Sequence, residues 1–274
     1  MSALIDKRAP ARPQDIPSLL ERVRHRLARH LPVAPFNATS EAPSVSFTFD
    51  DAPVSAATEG AALLEEAGGR ATYYIASGLM GLQDEHWRVV DADGVVDLHA
   101  RGHEIGCHGH SHARADWMSP NAIEADVLRN RAMLREIEPS LPLNNFAYPY
   151  GHANLGWKGR LIRHFRSSRS IWPHLNDGSV DSQFLNAVPL IDREMDEGGL
   201  DRAFERAAAR KGWLIFYSHD VAHDHCIYGC SPKLLRQALK AAARFGVRIE
   251  TVNAALTRIG TRTSALWMLL LPVY

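Results

Sequence analysis

Ser46-Phe47-Thr48-Phe49-Asp50-Asp51-Ala52-Pro53 is the stretch on which the reading of this chain turns. A β-prone apolar run ends in two adjacent carboxylates and then a proline. Like charges side by side repel, so folding alone gives little reason to place them there. At a strand end they suit a division of labour, one carboxylate binding a cation and the other handling protons.

Working outward, the chain reads as alternating strands and helices. Strands are expected at 45–49, 71–76, 103–107, 145–148, 168–172, 184–189, 213–218 and 247–251. Helices are expected at 56–66, 86–100, 119–138, 153–165, 199–210 and 232–245. Ser119-Pro120 is a helix start, with serine at the N-cap and proline at the first position. This alternation predicts an α/β fold with a largely parallel sheet, open or closed as a barrel. A further helix is expected over 17–31, where Leu19, Leu20, Val23, Leu27 and Leu31 form an apolar stripe beside Arg22, Arg24, Arg26 and Arg29. The favoured reading is a helix covering one end of the fold, and the alternative is contact with an anionic membrane surface. The chain divides into a helix and linker (1–43), a catalytic domain (44–260) and an apolar tail (261–274).

The 274 residues carry 31 basic and 31 acidic side chains, so net charge gives no case for a nucleic-acid partner. Cys107, Cys226 and Cys230 are too few for a disulfide framework. Residues 1–14 show no apolar signal core, and no stretch reaches membrane-span length. A cytoplasmic location is expected, with peripheral attachment to the inner membrane through the basic helix and apolar tail as an open alternative.

Three polar motifs follow predicted strand ends, the rim where parallel α/β folds build active sites. They are Asp50-Asp51, then His108-Gly109-His110-Ser111-His112, and then His219-Asp220. His108 and His112 are four apart, so a helical turn would aim both imidazoles one way. Two histidines and an aspartate make an open zinc-type site with a position left for water. His110 is not assigned to the metal, His103 reads as structural, and His223 and His225 as pocket lining or plain loop.

Together these residues resemble the polysaccharide deacetylase family, also called the NodB-homology family or carbohydrate esterase family four. Thr48-Phe49-Asp50-Asp51 matches its first motif, and residues 102–112 are similar to its second. Phe146-Ala147-Tyr148-Pro149-Tyr150-Gly151 looks like the third and Ser218-His219-Asp220 like the last. The resemblance runs in consistent order over roughly 45–255. It implies a distorted (β/α) barrel of about seven parallel strands. It implies that Asp51, His108 and His112 hold a divalent metal, with zinc expected. Asp50 would be the general base, His219 the general acid, and the Tyr150 N–H, set by Pro149, an oxyanion donor. The implied reaction is hydrolysis of an acetamide on an N-acetylated amino sugar.

The chain departs from the family pattern in three places. Gly109 stands where Ser or Thr is usual. Ala147 stands where the third motif carries an arginine that orients the base; Arg169 and Arg193 are the replacement candidates. The motif whose aspartate tunes the catalytic histidine is missing, and Asp192 is the candidate for that role. The FAYPYG form resembles relatives acting on poly-N-acetylglucosamine-type polymers, which implies a holdfast- or biofilm-like exopolysaccharide, with a lipid-linked glycan as an open possibility. Oligomeric state is not legible. Of the aromatics near the motifs, Tyr150 is placed at the site, while Tyr217, Trp117 and Trp172 are equally readable as core or loop. A small-amide hydrolase such as one for allantoin, and a sugar-binding homologue without turnover, are the competing readings.

Overall fold

The computed structural model describes residues 19–83, 85–114 and 118–260. The apolar tail and Trp117 lie outside these residues. Two short strands, β1 (Pro35–Asn37) and β7 (Ser179–Asp181), pair antiparallel at one side. The main sheet contains β2 (Ser44–Asp50), β3 (Thr72–Ile75), β4 (Glu104–Cys107), β5 (Asn145–Ala147), β6 (Ser167–Arg169), β8 (Val188–Pro189) and β9 (Trp213–Ser218). These seven run parallel in the order β6-β5-β4-β3-β2-β9-β8, and β10 (Arg248–Ile249) pairs with the start of β2. A parallel bridge from Arg169 to Leu185 ties β6 to the segment entering β8, so the sheet curls round on itself. The distorted (β/α) barrel expected from the sequence is the observed architecture.

Helices α2 (Ala61–Glu66), α3 (Ala92–Ala100), α4 (Pro120–Ile137), α5 (Leu155–Leu161), α6 (Glu197–Arg210) and α7 (Pro232–Arg244) flank the sheet, and α8 (Val252–Ile259) follows β10. Among the described residues no helix is long and apolar enough to cross a membrane. Ser119 caps α4 through a bond from Ala122 N, as the Ser-Pro pair predicts. The helix expected from His86 begins only at Ala92, because Asp91 accepts from Gly94 N and caps it there. Residues before it are left as loop.

Strand β2 shows how the core is divided. Its residues alternate, as side chains in a strand must. Val45, Phe47 and Phe49 join the apolar layer with Leu63, Leu64, Leu235 and Ala238. Ser46, Thr48 and Asp50 take the other face, which is also buried. That face is the barrel interior, and its polar groups are bonded to one another. Trp213 Nε1 donates to Ser46 Oγ (2.9 Å), and Thr48 Oγ1 to the Phe216 carbonyl (2.8 Å). Asn145 Nδ2 and Thr72 Oγ1 donate to Glu104 (2.5 and 2.9 Å). Asp50 is the last inward position before the strand ends.

Helix α1 (Leu19–His30) packs on α5, but the described residues of its apolar stripe do not face the fold. Ala28 is buried, whereas Val23, Leu27 and Leu31 face outward. A polar device holds the helix instead. The buried Lys158 Nζ donates to the carbonyls of Ala28 and Leu31 (2.6 and 2.7 Å) and pairs with Asp181 at 2.5 Å. The cation thus caps the carbonyl end of the helix. Lys158→Met should cost about 3–5 kcal/mol, the range for breaking a buried pair. Urea unfolding measures the loss, and faster tryptic cutting at Arg24, Arg26 and Arg29 would report release of α1.

Candidate metal and catalytic site

The parallel register brings the carboxyl ends of β2, β4, β5, β6 and β9 to one rim. Asp50 and Asp51 are both buried there. After Asp50 the chain turns through two left-handed residues, Asp51 (φ 60°) and Ala52 (φ 49°). His112 (φ 51°) and Tyr150 (φ 59°) share that conformation. Non-glycine residues pay strain for it, and such strain gathers at functional sites. Here it turns successive carboxylates in different directions, Asp50 into the barrel and Asp51 toward the histidines.

His108 follows β4 directly and is buried. Its Nδ1 donates to the Ala147 carbonyl (2.9 Å), which leaves Nε2 as the lone-pair nitrogen. Burial pushes this imidazole down to about 3, against the opposing pull of Asp50, so it stays neutral and able to ligate. Nε2 lies 3.9 Å from Asp51 Oδ1, and His112 Nε2 lies 3.4 Å from the same oxygen. One donor atom from each of the three residues falls within 4.8 Å of the others. Tetrahedral donors about 2.0–2.1 Å from zinc would sit roughly 3.3 Å apart. The donor types and spacing fit a divalent ion.

The two histidines meet without the helical turn that their spacing would allow. Residues 108–114 form a loop. Gly109 is left-handed (φ 74°), and a Cβ there would lie 2.7 Å from Asp126 Oδ2. That carboxylate, from α4, accepts from the backbone N–H groups of His110 (2.7 Å) and Ser111 (3.1 Å). Glycine in the Ser/Thr position therefore lets Asp126 clamp the loop. His110 bonds Ser77 Oγ (2.9 Å), and His103 bonds Glu65 (2.8 Å) and the Ala71 N–H (3.0 Å), so both are structural.

Arg169 is fully buried and its Nη2 pairs with Asp50 Oδ1. Ala147 and Arg169 are direct register partners across β5 and β6. The guanidinium missing from position 147 thus arises one strand over, at the same level of the barrel. Burial would raise the Asp50 carboxyl, but the opposing effects, led by the charge and hydrogen bond of Arg169, more than offset it and hold it below the ordinary value. Arg193 does not reach Asp50; it pairs with Glu194 and lies over the Tyr228 ring.

Pro149 is buried in a short turn, and Tyr150 beyond it is 52 % exposed with its ring 4.8 Å from that of His112. Gly151 (φ 69°) admits the close approach of Ile171, with which a Cβ would clash. His219 follows β9. Its Nδ1 meets the Tyr228 carbonyl at 3.3 Å, and its ring stacks on Trp87 at 5.1 Å. Asp192 is not its partner, which corrects the expectation for that residue. Both Asp192 oxygens are taken by Ser231, from N (2.6 Å) and Oγ (2.8 Å), with His225 3.7 Å away. Asp220, buried beneath this loop, accepts from Cys226 N (2.9 Å) and Sγ (3.2 Å). Cys226 and Cys230 are free thiols. Trp87 and Tyr228 escaped the sequence reading; the Asp91 cap, which leaves Trp87 in a loop, was the available signal. Trp172 is covered by Arg29, whose guanidinium lies 3.9 Å above its ring.

A polysaccharide deacetylase family model matches residues 37–158, which include the first three motifs. Over residues 37–158 the chain is thus similar to the polysaccharide deacetylases. Deacetylases of this family are hydrolases of amide C–N bonds, so the enzyme class expected from the sequence stands. Solved structures share the fold. The chitin deacetylase of the fungal pathogen Colletotrichum lindemuthianum is 18% identical, with TM-score 0.59 over 79% of this chain and 89% of that one. A family 4 acetyl xylan esterase from Clostridium thermocellum, in complex with a cobalt ion, is 21% identical, with TM-score 0.52 over 80% and 95%. A CE4 family pseudoenzyme from Bacillus anthracis is 11% identical, with TM-score 0.58 over 80% and 66%. No curated protein matches the chain.

Proposed function

We propose that this domain is a metal-dependent N-deacetylase of N-acetylated amino sugars in an exopolysaccharide or adhesin glycan. The observation that carries the reading is the convergence of Asp51, His108 and His112 beside a second carboxylate, Asp50, kept ionised by Arg169. Two imidazoles and a carboxylate suit zinc. A bound divalent ion would polarise the acetamide carbonyl and ease ionisation of water beside it.

The protein's own groups account for the remaining steps. Asp50 accepts a proton from the attacking water as its oxygen bonds to the acetyl carbon. The Tyr150 N–H, which donates to no group among the described residues, is available for the resulting oxyanion. His219 Nε2 then delivers a proton to the departing amine as the C–N bond breaks. Its Nδ1–H is fixed by a carbonyl rather than a carboxylate. Acetate and a free amino sugar leave.

The FAYPYG form supports a poly-N-acetylglucosamine-like substrate. We place it, lipid-linked, at the cytoplasmic face of the inner membrane. Acetate release from N-acetylglucosamine oligomers, measured with chelator and after re-addition of zinc, tests the reading. Release abolished by chelator and restored by metal is expected. A metal-loaded protein that binds the oligomers without turnover would instead be a sugar-binding homologue. Turnover confined to small amides would make it an amidase of the same fold.

A further inference from the structure

We propose that the outward face of α1 docks on an anionic phospholipid bilayer. Val23, Leu27 and Leu31 lie one helical turn apart, on one side, and are 45 %, 42 % and 47 % exposed. The opposite side, with Ala28 buried, is the one that meets the domain. Lys158 fixes that orientation by gripping the Ala28 and Leu31 carbonyls. The apolar stripe is thus held outside by the fold, and Val33, 37 % exposed, extends it.

Charge selects the occupant. Arg24, Arg26 and His30 are exposed around the stripe. No carboxylate occurs between Glu21 and Glu41. A basic helix with an apolar strip suits the interface of an anionic membrane. A second copy would set the same arginines against one another. The tail 261–274 carries Arg262 and no acid, so it offers no complementary charge.

Position gives the docking a use. The His25 ring lies 5.5 Å from that of His152, two residues past Tyr150. Arg29 covers Trp172, three residues past Arg169. Both loops leave the barrel at the catalytic rim, so a bilayer under α1 would lie beside the site's mouth. Only this use rests on the deacetylase reading; the binding itself is independent of it.

The test is co-sedimentation of the full-length protein with phosphatidylglycerol–phosphatidylcholine vesicles and with phosphatidylcholine alone. Binding to the mixed vesicles, weakened at high salt, is expected. Leu27→Ser/Leu31→Ser should weaken it by about tenfold or more, and Arg24→Gln/Arg26→Gln similarly. Circular dichroism and acetate release from soluble oligomers should be unchanged in both. Failure to bind mixed vesicles overturns the proposal, as does undiminished binding by the Leu27/Leu31 variant. A dimer dissolved by that variant would also overturn it, making the stripe an interface between copies. If vesicles bind as expected and no acetate is released, the docking stands and the deacetylase reading fails.

Discussion

Asp50→Asn should lower acetate release by about 10²–10⁴-fold, the usual contribution of a positioned general base. The amide keeps the size and most contacts of the carboxylate but cannot accept the proton of the attacking water. Metal content should stay near wild type, because Asp51, His108 and His112 are unchanged. Elemental analysis beside the kinetic assay separates the two roles. Turnover equal to wild type would show that Asp50 carries no proton. Loss of metal together with activity would move Asp50 among the ligands.

Arg169→Met should be strongly destabilising. Asp50 would be left buried without its cation, which costs about 3–5 kcal/mol. At roughly 2–4 °C per kcal/mol for a domain of this size, the midpoint falls by on the order of 10 °C. Thermal and urea unfolding measure this. The double variant Asp50→Asn/Arg169→Met should be more stable than Arg169→Met alone, because no orphaned charge remains. Any residual activity of Arg169→Met carries a second signature. With the guanidinium gone, burial dominates and the Asp50 carboxyl rises from its depressed value. The base then takes up its proton at higher pH, so the acid limb of the pH–rate profile moves upward. A merely structural arginine would leave that limb in place.

The pair also bears on stability against acid in the wild type. Asp50 has a lowered carboxyl in the folded state, so its contribution is present above the unfolded value of about 3.9. It is lost as pH falls through the lower folded value. In Arg169→Met that contribution should disappear.

The candidate ligands Asp51 and His108 were legible because each directly follows a strand end that local pattern announces, and His112 lies in the loop after the same strand as His108. Phe47 and Phe49 alternate with Ser46 and Thr48, and this alternation carries Asp50 inward while the Asp51 turn carries its carboxylate away. His108 and His219 follow β4 and β9 directly. The path of the loop between His108 and His112 was not legible, since Gly109 and Asp126 act through backbone geometry that residue spacing does not express. Asp192 was a plausible neighbour for His219 in chain order, but the bonds from Ser231 turn its carboxylate elsewhere.

Local alternation, strand-end chemistry and the order of the motifs belong to the sequence by itself, because each depends on residues a few positions apart. They were enough for a parallel α/β sheet and the paired carboxylates, and the family resemblance that the motifs carry added the barrel and the Asp-His-His set. Which cation serves Asp50, what stacks on His219, and which way α1 turns its leucines depend on contacts between distant segments. Arg169 competed on paper with Arg193 and was decided only when β6 paired with β5 and brought it level with Ala147. Register between strands and the grip of Lys158 on a helix end are products of packing, and no local period encodes them.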